Sequence, residues 1–193
     1  TTNVTSAARY YVGILGAGCS SHMTWTNVAV YATLASVKST ARHYAGVLGA
    51  GNFNRNVTWT NVTVSAKLAN VTSTTTGYVG VIGAASMGDI TWANVAVSAA
   101  TANIASTTAS SYVGVLGAGT NSAMNWTNVT IFASADITST ATNFVGVLGA
   151  GTGGDLIWSN VTVAASLANV TSTATGNTVG VLGAGTTSGM TWT

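Results

Sequence analysis

A tract reading Val-Gly-Val-Leu-Gly-Ala-Gly, or a close variant, returns six times, around Gly13, Gly46, Gly80, Gly114, Gly146 and Gly180. The steps between these glycines are 33, 34, 34, 32 and 34 residues. So regular a period is the signature of a stacked repeat, whose units bury their apolar faces only against their neighbours. Two other strings keep step with it. A tryptophan follows each glycine tract, at Trp25, Trp59, Trp92, Trp126, Trp158 and Trp192. An Asn-Val-Thr-Ser-Thr-like string is led by Asn3, Ser36, Asn70, Asn103, Asp136 and Asn169.

Within each unit the apolar residues alternate with a period of two, which is the period of a strand and not of a helix. Three short strands and three bends in 32–34 residues make one coil of a three-sided parallel β-helix. The expectation is therefore an all-β solenoid of about five to six coils, with neighbouring coils about 4.8 Å apart. It forms a single domain over 1–193. Its repeats run roughly 11–43, 44–77, 78–111, 112–143 and 144–177, with partial units at 1–10 and 178–193.

Each Trp shares a face with the residue two before it, as in Met23, Val57, Ile90, Met124, Leu156 and Met190. After the Trp the apolar parity flips, giving Val62, Val64 and Ala66, or Val95, Val97 and Ala99. Alternation is strict within a strand, so a change of phase requires a bend. The bend falls at Thr26-Asn27, Thr60-Asn61 and their equivalents, where Asn tolerates a left-handed backbone. In the third string Val4, Val37, Val71, Ile104, Ile137 and Val170 point inward. Two residues on, Ser6, Ser39, Ser73, Ser106, Ser139 and Ser172 form an inward serine ladder whose hydroxyls require partners. The glycine tract is apolar on both faces. Either it is covered on both sides, or it bends again near Leu116-Gly117.

The strings Gly-x-Val-Gly-x-Leu-Gly and Trp-Thr-Asn-Val-Thr-Val-Ser-Ala resemble the GLUG motif of bacterial and protist surface proteins, over the whole chain. The resemblance implies an extracellular β-helical repeat module of the kind found in adhesins and surface arrays. It implies no catalytic residues.

The residues themselves point away from catalysis. His22 and His43 occupy unlike positions in their repeats, and no nucleophile, base and orienting group recur together. Asp89 and Asp155 are equivalent but two coils apart, roughly 10 Å. Metal-ligating types are too few for a site, so no cofactor is expected beyond covalent glycans. The closely spaced glycines lack the helix and the acidic residue of a dinucleotide fingerprint. A net charge of +2 gives nucleic acid no basic surface, and no apolar run is long enough for a membrane-spanning helix. The few charges are unevenly placed. Arg9, Lys38, Arg42, Arg55 and Lys67 come first and Asp89, Asp136 and Asp155 last, which is either scatter among a few charges or an electrostatic head-to-tail ordering of fragments.

Eight Asn-x-Ser/Thr sequons occur, at Asn3, Asn56, Asn61, Asn70, Asn125, Asn128, Asn160 and Asn169. They are glycan acceptors in a secretory pathway. With only 4% charged residues, a glycan coat would also supply solubility. The bend positions Asn61, Asn128 and Asn160 are the best placed. Asn27 and Asn94 hold the same bend without a sequon, and Asn103 likewise lacks one, which fits a plain asparagine ladder equally well. Thr72, Thr74 and Thr76, with Thr138, Thr140 and Thr142 and with Thr171, Thr173 and Thr175, form outward rows. Such rows suit a solvated β face, O-glycans or an ice-binding face. Tyr11, Tyr44, Tyr78, Tyr112 and Phe144 form a second aromatic column. Both ends of the sequence resemble interior repeats. The reading is a structural, non-enzymatic segment of a longer array or end-to-end fibre at the cell surface or outside the cell; the alternative is an adhesin stalk or an ice-binding solenoid.

Overall fold

The parity flips mark where the chain turns. The computed structural model describes residues 2–6, 11–19, 21–40, 43–52, 55–74, 77–107, 112–140, 144–166, 169–173, 178–180 and 182–193. Arg9, Arg42, Thr76, Thr142 and Thr175 fall outside them, as do the side chains of Asn3, Ser6, Tyr11, Cys19, His43, Tyr44 and Tyr112. The described residues form an all-β solenoid of parallel strands, with no helix. Three sheets run along it. The first holds the Trp and Asn-Val strings, as in Val57–Ser73, Ile90–Ser106 and Met124–Ser139. The second is made of very short strands such as Gly77–Val79, Tyr112–Val113 and Phe144–Val145. The third is the glycine tract, as in Leu48–Asn52, Ile82–Ser86, Leu116–Thr120 and Leu148–Thr152. Among the described residues the second and third sheets are each six strands deep.

Register follows the repeat. Trp25 pairs with Trp59, Trp59 with Trp92, Trp92 with Trp126, and on to Trp158 and Trp192. Where Ala99 pairs with Ala133, Ala102 pairs with Ala135, so one coil carries an extra residue as a bulge. A change of period is thereby absorbed at a bend without slipping the ladders on either side.

One expectation needs correction. Not all the strands are short: the Trp, Val and Asn-Val segments pair continuously, up to 17 residues in Val57–Ser73. That strand is nevertheless bent twice, and its burial shows it. Val57 and Trp59 face in, then Val62, Val64 and Ala66, then Val71 and Ser73. The first flip occurs at Asn61, whose φ is 54°. Asn27, Asn94, Asn128 and Asn160 are equally left-handed, at 56°, 53°, 53° and 52°. These asparagines form the corner that the parity flip required.

The glycine tract has a different geometry from either alternative taken alone. It is covered on both faces, since Val113 through Thr120 are all buried. A bend is also present, but at Gly114-Val115, two residues before the expected place. The chain folds back there, so the aromatic position ahead of the bend lies over a glycine strand. A Cβ on Gly185 would stand 2.6 Å from Cε1 of Phe144, so the ring lies directly against that glycine.

The Trp column is the centre of the core. Trp59, Trp92, Trp126 and Trp158 are at most 1% exposed. From Trp25 to Trp158 the rings stack face to face, with centroids 5.1, 4.6, 4.7 and 5.0 Å apart and planes within 6°. Trp192 is the exception to the expected six-ring ladder. It keeps register but lies edge-on to Trp158 at 83° and is half exposed. The indole Nε1 atoms of the four buried rings reach no acceptor. An unsatisfied buried donor costs about 1–3 kcal/mol. Burying roughly 200 Å² of indole returns about 5 kcal/mol, so burial wins and the column holds.

Candidate functional site

The outer corner at the left-handed asparagines carries a continuous polar ladder from Asn27 to Asn160. In the αL conformation the side chain leaves the coil outward, and in-register stacking brings successive amides together. Asn61 Nδ2 donates to Asn27 Oδ1 at 3.0 Å, Asn94 to Asn61 at 3.0 Å, and Asn128 to Asn94 at 3.0 Å. Asn160 continues the series, donating to Asn128 at 3.2 Å. All five side chains are exposed. The bend sequons Asn61, Asn128 and Asn160 are therefore on the surface and also part of an amide ladder.

The other sequons are placed differently. Asn70 and Asn169 are exposed at the second bend, in a shorter ladder: Asn103 Nδ2 donates to Asn70 at 3.1 Å, and Asn169 Nδ2 to Asp136 Oδ1 at 2.9 Å. Asn56 is exposed, and its Oδ1 accepts the Asp89 backbone N–H at 3.1 Å. Asn125 is half buried, with an Oδ1 that reaches no donor.

A second polar column closes the turn after each glycine strand. Thr120 Oγ1 donates to the Gly88 carbonyl of the preceding coil and accepts the Ser122 N–H at 3.1 Å. Thr152 and Thr186 repeat the arrangement, and Ser86 supplies the same hydroxyl one coil earlier. The sequence did not reveal this column, because the position changes identity: Cys19, Asn52, Ser86, Thr120, Thr152, Thr186. The equivalence of Asp89 and Asp155 also has a structural use. Asp89 Oδ1 accepts from Ser122 Oγ and from the Ala123 N–H at 3.1 Å. Asp155 Oδ1 accepts from Ser188 Oγ at 2.7 Å and the Gly189 N–H at 3.2 Å. Those two bonds, the hydroxyl first, hold the Asp155 carboxyl below its usual pKa.

The inward serines Ser39, Ser73, Ser106 and Ser139 are buried as expected, but the Ser106 hydroxyl reaches no partner. Threonines form an exposed column on the opposite side of the same segment, at Thr40, Thr74, Thr107, Thr140 and Thr173. The neighbouring column is interrupted, reading Lys38, Thr72, Ala105, Thr138, Thr171. His22 is exposed. Among the described residues no three His, Cys, Asp or Glu side chains gather as a metal-binding group, and no helix is long and apolar enough to cross a membrane.

No family model, curated protein or solved structure matches this chain. What can be stated from its own geometry is the class: a parallel β-solenoid with a 32–34-residue repeat, three sheets, a tryptophan core and an asparagine corner.

Proposed function

We propose that the chain is a structural segment of an extracellular, glycosylated filament or cell-surface coat, self-associating end to end or continuing as a longer repeat array. The observation that supports this is the continuity of its ladders. Stacked indoles inside and hydrogen-bonded amides outside run coil to coil. Such columns stiffen a rod, and each further coil extends them. The outer surface is dominated by neutral Thr, Ser and Asn, which suits a coat.

The glycan part of this reading has a specific expectation. Asn128 and Asn160 are one coil apart, about 4.8 Å, too close for two glycans side by side. Asn61 is followed by Asn94, which carries no sequon. Peptide mapping of native protein is expected to find glycan on Asn61 and on either Asn128 or Asn160 in any one molecule, with half-buried Asn125 bare. Eight bare sequons in native material would overturn the glycosylated reading.

The exposed, in-register threonine column at Thr40, Thr74, Thr107, Thr140 and Thr173 favours one second reading, an ice-binding face on an adhesin stalk or free solenoid. Thermal hysteresis from unglycosylated protein, lost on Thr107→Lys, would support it; its absence removes it.

A further inference from the structure

The tryptophan column has two properties that packing alone does not use. The first is unbroken ring contact. Trp25, Trp59, Trp92, Trp126 and Trp158 stack face to face with centroids 5.1, 4.6, 4.7 and 5.0 Å apart. Trp192 meets Trp158 edge-on at 5.6 Å. Between π systems in contact an electron moves in short steps. Indole is also the most easily oxidised side chain in this part of the core. The residues that share its face two positions earlier are Val57, Ile90, Met124 and Leu156, all buried.

The second property is a proton that cannot leave. An indole that has lost one electron is a cation radical and a far stronger acid than indole. It settles as a neutral radical only where water or a base takes its Nε1–H. The Nε1 atoms of Trp59, Trp92, Trp126 and Trp158 are buried and reach no acceptor. A hole on one of these rings therefore keeps its proton and moves on. In the 193-residue chain Trp192 is 51% exposed, so water reaches the column there.

We propose that the tryptophan column is a one-electron path along the solenoid axis, carrying an oxidising equivalent through the core to an exposed ring. The oxidant is a one-electron acceptor: an oxygen-centred radical, reduced to its anion, or a high-valent metal complex, reduced by one. The first ring gives up one electron, and no bond forms. Each neighbour then supplies an electron to the ring before it. At the exposed ring the N–H bond breaks, the proton goes to water, and a neutral indolyl radical remains. This adds a redox activity to the structural rod and requires neither glycans nor a partner.

The test attaches a ruthenium polypyridyl photosensitiser to Thr24→Cys, beside Trp25, in a Cys19→Ser background. Thr24 is exposed, and Trp192 lies five coils from Trp25, about 24 Å. Tyr31, 74% exposed, and Phe132, 53% exposed, stand on the outward side of the Val segment, outside the column. Tyr31→Phe removes that phenol as a competing donor. Light and a sacrificial electron acceptor generate the ruthenium(III) oxidant. Transient absorption is expected to show the cation radical first and the neutral radical after it. Under air, dioxygen adds to the neutral radical and marks its site, which peptide mapping locates. Marks are expected on Trp192 and, next to the sensitiser, on half-buried Trp25, with the four buried rings bare. Trp92→Phe keeps a ring in the stack, but phenylalanine is far harder to oxidise. The electron must then cross two coils, about 10 Å, in one step. The mark on Trp192 should fall severalfold while that on Trp25 does not fall, and circular dichroism checks the fold. A bare Trp192 in the parent protein overturns the proposal. So does a mark on Trp192 that Trp92→Phe leaves unchanged, because the oxidant then travels through solvent. Marks spread over the buried rings also overturn it. None of these results bears on glycan occupancy or rod formation.

Discussion

Replacing Trp92 by alanine is expected to destabilise the solenoid by about 3–5 kcal/mol, a fall in Tm on the order of 10 °C. Trp92 is 1% exposed and stacked on both faces, 4.6 Å from Trp59 and 4.7 Å from Trp126. Truncation empties one rung of the core and removes two ring contacts at once. In a stacked-repeat protein stability is a sum of units and their interfaces, so a lesion in the middle breaks the column into two shorter ones. Trp92→Phe should cost much less than the alanine variant. It keeps a ring in the stack and removes the indole N–H that reaches no acceptor. Trp192→Ala is the internal comparison: that ring is 51% exposed and edge-on to its single neighbour. Only about half of that ring is buried in the 193-residue chain, so its loss should cost about half as much, roughly 2 kcal/mol. Chemical denaturation of the three variants measures this order directly. Equal losses at Trp92 and Trp192 would contradict the stacked core.

Gly114→Ala should cost about 3 kcal/mol, far more than one methyl group ordinarily does. A Cβ there would press on the Gly146 carbonyl oxygen of the next coil, and would stand 2.9 Å from the Gly149 N and 3.0 Å from the Val147 O. All three are backbone atoms, and the Val147 O also accepts the Leu116 N–H at 3.1 Å, so none can swing away as a side chain would. Gly180 occupies the same repeat position with different surroundings: its nearest neighbour would be the Leu182 O at 3.8 Å, an ordinary contact. In the 193-residue chain Gly180→Ala is therefore expected to be near neutral. The pair isolates one physical cause, the close approach of one coil to the next at the Gly-Val bend. Thermal melts of the two variants decide it; a neutral Gly114→Ala would mean that the coils do not approach there as described.

These two sites also show what could be read from the sequence and what could not. The Trp column and the asparagine corner were legible because each repeats a residue type and each changes the phase of an alternating pattern. A flip from Trp59 to Val62 has few explanations besides a bend, and left-handed Asn61 supplies it. The Gly114-Val115 bend leaves no such trace. Residues on both sides of it are apolar and buried, so parity carries no information. The hydroxyl column at Ser86, Thr120, Thr152 and Thr186 was hidden for another reason. Several polar residues can fill that turn, and Asn52 stands there in an earlier coil. Tyr31 and Phe132 escaped notice because serine and alanine fill their column elsewhere, so no repeat pointed to them. Repetition identifies what every coil needs. It is silent about residues that single coils add.

The central claim is that equivalent residues in successive repeats stack in register along one axis. Nitroxide pairs on the exposed threonine column test it most directly, in a Cys19→Ser background. Labels at Thr140 with Thr107, with Thr74 and with Thr40 are one, two and three coils apart. Their backbone separations should rise in equal steps, about 4.8, 10 and 14 Å, and dipolar broadening should fall in that order. Separations that do not rise by equal steps, or a Thr40 label as close to Thr140 as the Thr107 label is, would contradict the solenoid.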